Sequence, residues 1–242
     1  MLKFCMKKLI LVALVLFYTL NADEYMYRNY SNVKDFYELI SKNVVDLSMK
    51  HNAPPAAILA VAGLESGYGS GYVAQITGNI MSLGANKGDK QLPPLYLPYC
   101  KTDRVKITLY DPVMQKKCGV KNLDWKQRPP SYKRDYRPAP YAGTNKNLAY
   151  LKYHKGEKQK AELACVNDFL TNWLSKDYKF KVFQNARIWL DEKVKKEGKA
   201  TLLTKKTSEE FIHKIGGVPN SFNYRKSWPK KVLRIMNRTG LV

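Results

Sequence analysis

The sequence predicts a mainly α fold of the α+β kind, with a small Pro- and Tyr-rich lobe of loops and short strands inserted after a buried helix. Three observations carry that prediction. Residues 55–65 are apolar on almost every side, which in a soluble protein marks a central, enclosed helix. Helical periodicity also runs through 33–50 and again from about Ala161 to the end. Between Lys87 and Pro140 that period disappears, and eight of the twelve prolines fall in this span.

Taken in order, residues 1–22 have the layout of a secretory signal peptide. Lys3, Lys7 and Lys8 precede an apolar run from Leu9 to Leu20, and the small residue Ala22 stands at the expected cut. The run is too short to span a bilayer comfortably, and Cys5 precedes it, so neither a membrane anchor nor a lipoprotein cysteine is indicated. The expectation is an exported protein, in the periplasm or cell envelope, with one domain over 23–242 and a lobe at 87–140. In 33–50, Val33, Phe36, Ile40, Val44 and Leu47 share one helical face. "NAPP" breaks the chain and opens the helix at 55–65, with proline tolerated in its first turn, and "SGYGSG" ends it.

Within the lobe, "RVKITLY" at 104–110 alternates as a strand does. Beyond it, Ala161, Cys165, Phe169, Leu170 and Trp173 share a face, as do Phe183, Ala186, Leu190 and Val194. Thr207 with Glu210 reads as a capping box, and Gly216–Gly217 as a helix stop. A last helix starts near Ser227 and carries Val232, Ile235 and Met236.

The net charge is +22, and losing the three lysines of the leader, which has no acidic residue, brings it to +19. So basic a protein meets a polyanion or simply carries a Lys-rich surface. Export argues against nucleic acid and for an anionic envelope polymer. Outside the cytosol a Cys100–Cys118 disulfide is allowed, while Cys165, on an apolar helix face, reads as a buried small hydrophobe. His51, His154 and His213 are scattered and no Cys/His group has metal-ligand spacing, so no metal or other cofactor is expected.

The chemistry concentrates in "AILAVAGLESGYGSG", residues 57–71. A carboxyl at the end of a buried helix loses hydration, which favours its neutral form and raises its pKa. That is what a general acid for glycosidic cleavage requires: a proton held near neutral pH, ready for the leaving oxygen. The glycines after Glu65 would let a bulky substrate approach. A lone glutamate at a helix end is also a common ion-pair partner, with 42 basic residues available here.

This stretch, followed by "GNIMSLGA" at 78–85, resembles the glucosaminidase domain of glycoside hydrolase family 73. There a helix ends in Leu-Glu-Ser-Gly-aromatic-Gly, and an Asn-aliphatic-aromatic-Gly segment follows. The resemblance implies a lysozyme-like helical fold and cleavage of the N-acetylglucosaminyl bonds of peptidoglycan. It casts Glu65 as catalytic acid, with Ser66, Tyr68 and Asn79 as substrate-binding residues. "GGVPNSFNYRKSWPKKVLRIM" is similar to the family's closing Tyr-Ala-Thr-Asp segment and final Lys-rich helix. Two departures stand out. Met81–Ser82 replace the usual Phe-Gly, and Phe222 takes the place of an active-site tyrosine, with Tyr224 two residues on as an alternative hydroxyl.

Glycoside hydrolysis by inversion needs a second carboxylate, as base, about 6.5–9.5 Å from the acid; retention needs a nucleophile nearer. Asp111 is the first candidate, and Asp89, Asp103 and Asp124 are the alternatives; Asp111 before Pro112 is equally a turn signal. Tyr96, Tyr99, Tyr110, Trp125, Tyr132, Tyr136 and Tyr141 of the lobe suit sugar faces or a satellite cluster. The expected activity is that of an exported endo-N-acetylglucosaminidase acting on peptidoglycan glycan strands. A lytic transglycosylase, a non-catalytic wall-binding scaffold and an exported nucleic-acid binder are the rivals.

Overall fold

The computed structural model describes residues 30–85, 89, 91–102, 116–128 and 136–242. The expected leader at 1–22, the alternating segment at 104–110 and Asp111 lie outside the described residues. What is described is mainly helical, with one two-stranded antiparallel sheet.

Helix α1 spans Ser31–Lys50 and buries Val33, Phe36, Tyr37, Ile40, Val44 and Ser48. The buried stripe advances in steps of four, so its last place falls to Ser48 and Leu47 is only half-buried. The turn that follows closes with Ala53 N–H donating to the Ser48 carbonyl at 2.9 Å. Helix α2, Pro55–Ser66, starts with proline at its first position, where a missing N–H loses nothing. Every residue from Pro55 to Gly63 is buried. Gly63 is where α1 crosses: a Cβ there would lie 2.5 Å from the Tyr37 hydroxyl, so a side chain would have to displace that ring.

Helix α3, Tyr72–Thr77, is short and ends at Gly78, whose φ of 74° and contact with Ala161 leave no room for a side chain. The lobe follows. Strand β1, Tyr96–Cys100, pairs with β2, Leu123–Gln127, and Cys100 is bonded to Cys118, a pairing the sequence left open. Leu95 and Leu97 pack with Ile76 of α3, Tyr72 and Trp125, which docks the lobe beside the loop after α2. Arg137 donates from Nη1 to the Ala142 carbonyl at 3.1 Å and from Nη2 to the Pro93 carbonyl, closing the base of the lobe.

The remaining helices complete the core around α2. After α4, Tyr150–Tyr153, comes α5, Lys155–Asp168, which buries Ala161, Glu162, Cys165 and Val166. The α-period expected through Trp173 is corrected here: Phe169–Trp173 is a π-helical turn, closed by Leu174 N–H to the Phe169 carbonyl at 2.8 Å. It keeps Phe169 and Leu170 in the core and leaves Trp173 partly exposed, stacked on Tyr178. Helix α6, Lys181–Glu197, buries Phe183, Ala186, Arg187 and Leu190. Helix α7, Lys205–Ile215, is capped one turn before the expected box. Thr204 accepts from Thr207 N–H, while Thr207 itself is buried and Glu210 pairs with Lys193. Helix α8, Trp228–Arg238, buries Trp228, Val232, Ile235 and Met236. Helices α1, α7 and α8 all pack directly on α2.

Arg187 is a core residue that hydrophobic periodicity does not announce. From α6 it donates to the carbonyls of His51 (2.7 Å) and Asn52 (3.0 Å), tying down the turn that leads into α2, and pairs with Asp191 at 2.7 Å. Arg187→Met, which strips the buried carbonyls of their donor, is expected to lower unfolding free energy by about 2–3 kcal/mol in urea titrations. Asp191→Asn, which removes only the partly exposed pairs to Arg187 and Lys176, is expected to lose less than about 1 kcal/mol.

Candidate active site

Glu65 is the penultimate residue of α2, half-buried where the helix leaves the core. The helix end is closed by a Schellman arrangement: Tyr68 N–H donates to the Gly63 carbonyl at 2.8 Å and Gly67 N–H to that of Leu64 at 3.4 Å. Three successive residues, Gly67, Tyr68 and Gly69, then take left-handed backbone at φ 57°, 55° and 71°. For a tyrosine this is strained, and such strain gathers at binding and catalytic loops. The turn reverses the chain directly after the glutamate, whose side chain stays half-buried at the end of the helix.

Among the described residues, one protein group donates a hydrogen bond to the carboxyl. Trp228, the first residue of α8, donates its indole N–H to Glu65 Oε1 at 2.7 Å. Burial is the largest influence on Glu65 and pushes its pKa above the ordinary carboxylate range. The indole hydrogen bond and the positive charge of Arg225 pull the other way and are outweighed. The position at the carbonyl end of α2 adds to the upward push, since helix C-termini disfavour anions.

Ser66 turns inward. Its hydroxyl donates to the Ala62 carbonyl at 2.6 Å and accepts from Gly69 N–H at 2.8 Å, so it braces the loop that carries Glu65. Tyr68 is half-buried with its ring edge-on to Phe36 and Tyr37, at 6.3 and 6.0 Å between centroids. Asn79 is buried and serves as a substitute backbone unit. Its Oδ1 accepts from Leu83 N–H at 2.9 Å, while Nδ2 donates to the carbonyls of Leu83 (2.9 Å) and Tyr136 (3.4 Å). Cys165, buried as expected, donates to Asn79 Oδ1 at 3.4 Å. The segment Asn79 holds includes Met81, fully buried, and Ser82 at φ 52°, a left-handed position that a glycine would take without strain.

At the C-terminal end, Phe222 stacks on Trp228 with 5.3 Å between centroids and meets Phe169 edge-on. It touches the indole that holds the acid. Tyr224 is exposed, with the Arg225 guanidinium over its ring at 5.9 Å. The structure therefore brings Glu65, Trp228, Phe222 and Arg225 together. Sequence reasoning missed Trp228 and Arg225. The available signal was a tryptophan opening a helix otherwise full of lysine and arginine, "SWPKKVLR".

The carboxylates considered for the second role are dispersed. Asp111 and Asp103 lie outside the described residues and Asp89 is exposed. Asp124, on β2, accepts from Trp125 N–H at 2.8 Å and from the Tyr99 hydroxyl at 3.3 Å; the Trp125 hydrogen bond foremost holds its pKa below the usual range. Of the lobe aromatics, Tyr136 donates to Asp168 and Tyr141 to Glu157, while Trp125 packs against the docking cluster; Tyr110 and Tyr132 lie outside the described residues. Among the described residues no cluster of His, Cys, Asp or Glu could hold a metal ion, and no helix is long and apolar enough to cross a membrane. No family model, curated protein or solved structure matches the chain.

The direction of the Glu65 shift makes a stability statement. A carboxyl whose folded pKa is raised favours folding fully below its unfolded value near 4.5, and loses that contribution as pH rises through the folded value. Glu65→Gln keeps an acceptor for the indole and removes the titration. It is expected to melt higher than the unmodified chain at pH 7, with the gap closing as pH falls below about 4. Calorimetry of both chains across pH 3.5–8 checks this.

Proposed function

We propose that this chain is an exported peptidoglycan hydrolase, an endo-N-acetylglucosaminidase of the glycoside hydrolase family 73 kind with a lysozyme-like core. The observation that carries the reading is Glu65. It is a carboxyl at the end of a wholly apolar helix, kept neutral to higher pH by burial, on a strained glycine-rich turn, and held by a neutral donor. Those are the properties of a general acid. The motif around it, Leu64-Glu65-Ser66-Gly67-Tyr68-Gly69 with Asn79 following, adds the substrate class through its resemblance to that family.

In this reading Glu65 gives its proton to the glycosidic oxygen as the C1–O bond breaks, and the leaving sugar departs as an alcohol. The developing positive charge at C1 is met by water, whose proton passes to a base, Asp111 in the first instance. Ser66 and Asn79 support this from behind, by holding the two loops that flank the acid. The hydroxyl missing at Phe222 is replaced by an indole N–H, supplied by Trp228 stacked on that same ring.

One observation favours a second reading. Among the described residues no carboxylate acts on Glu65, and the charged group that does is Arg225. A lytic transglycosylase needs no second carboxylate, because the substrate's own hydroxyl captures C1 and the released end is an anhydro sugar. Mass spectrometry of fragments freed from purified peptidoglycan by residues 23–242, beside a Glu65→Gln variant, separates the readings. The expected result is reducing N-acetylglucosamine ends from the unmodified protein and at least about a 10³-fold loss in the variant. Anhydro-muramyl ends would move the protein to the transglycosylases. Sedimentation with the wall and no release at all would leave a binding scaffold.

A further inference from the structure

We infer that Trp228 is a positioning residue that decides which oxygen of Glu65 carries the acidic proton: Oε1 is held as an acceptor, so the proton rests on Oε2. This rests on the reading of Glu65 as the acid. An indole N–H donates and cannot accept. With that donor 2.7 Å away, Oε1 must present a lone pair in both protonation states. A proton on Oε1 would leave the indole facing the weaker acceptor, a hydroxyl oxygen, so the neutral acid settles with its O–H on Oε2. A lysine or arginine in the same place would also fix the carboxyl, but its charge would favour the anion and depress the pKa. The neutral indole orients the acid without discharging it.

The seat of the indole is built for this purpose by three elements. Trp228 is 3% exposed. Phe222 lies along one face at an interplanar angle of 23°. Gly216, after α7, leaves the space beneath: a Cβ there would come within 2.2 Å of the indole ring, so any side chain would displace it. The loop between is pinned by Phe222 N–H to the Ile215 carbonyl at 2.7 Å and Gly217 N–H to the Asn223 carbonyl at 2.8 Å. Arg225, from the same loop, is the charged group among the described residues that Glu65 faces, and its influence is on pKa rather than on a chosen oxygen. Packing of α8 on α2 then fixes donor and acid relative to each other.

Two measurements test this, one independent of any activity. In the full mature chain labelled with ¹⁵N-tryptophan and ¹³C-glutamate, the Trp228 indole N–H resonance is expected to titrate with the same midpoint as the Glu65 carboxyl. It is expected to stay fixed in Glu65→Gln. An indole resonance that ignores Glu65 would overturn the inference, whether or not the protein proves to be a glycosidase. Trp228→Phe keeps the ring and removes the donor. Its Glu65 midpoint is expected to move up, and on peptidoglycan its kcat to fall more than tenfold with KM within about twofold, the alkaline limb shifting to higher pH. A Trp228→Phe protein with the native kcat and pH profile would also overturn it. Absence of glycan release by the unmodified chain would strike the enzymatic reading, while the resonance titration would still decide the Trp228–Glu65 link.

Discussion

The burial of α2 is the constraint on which the rest depends. A helix with apolar residues on all sides has no face to offer water, so neighbours must cover it completely. Helices α1, α7 and α8 do so, drawn from positions separated by most of the chain. Burying nine consecutive residues, Pro55 to Gly63, centres the large core of the described residues and fixes the axis along which Glu65 is delivered. Because α8 packs on α2 as part of that core, the donor to Glu65 is a product of the same packing that forms the hydrophobic centre. Stability and site geometry are therefore not separable at Trp228, nor at Gly216 beneath it.

Around the exit of α2 the polar side chains act chiefly as substitutes for regular backbone pairing. Ser66 closes the first loop, Asn79 the second, and Arg187 the turn at the opposite end of the helix. Ser66 and Arg187 reach out from helices α2 and α6, and Asn79 from a loop, to backbone groups of an irregular turn. Each side chain fills backbone needs that would otherwise be left unmet inside the protein. The lobe is tied into this scheme through Tyr136, whose carbonyl accepts from Asn79 and whose hydroxyl donates to Asp168 at the start of the π-turn. The same few residues thus join the loop behind the acid, the lobe and α5.

Electrostatically, Glu65 is set by a contest that burial wins. A neutral donor and one guanidinium favour the anion, and loss of water together with the carbonyl end of α2 favours the acid. The surplus of basic residues elsewhere does not decide the matter. Exposed charges are screened over about 8–10 Å, and among the described residues Arg225 is the charged group that acts on this carboxyl.

Local pattern was sufficient for much of this. The period of the apolar residues located α1, α2, α6 and α8. The prolines and glycines located the breaks, while the Cys100–Cys118 bond stayed an allowed pairing until the fold brought the two together. Glu65 was legible because a carboxylate ending an apolar run is visible in one dimension. What the sequence could not decide is whatever depends on partners far apart in the chain. The cap of α7 at Thr204, the π-turn after α5 and the burial of Ser66 and Asn79 are outcomes of competition among nearby groups that only packing settles. Trp228 and Glu65 stand 163 residues apart, and no periodicity links them. Their meeting required α2 to be enclosed and α8 to be laid across its end, with Gly216 and Phe222 leaving the indole a single place to go.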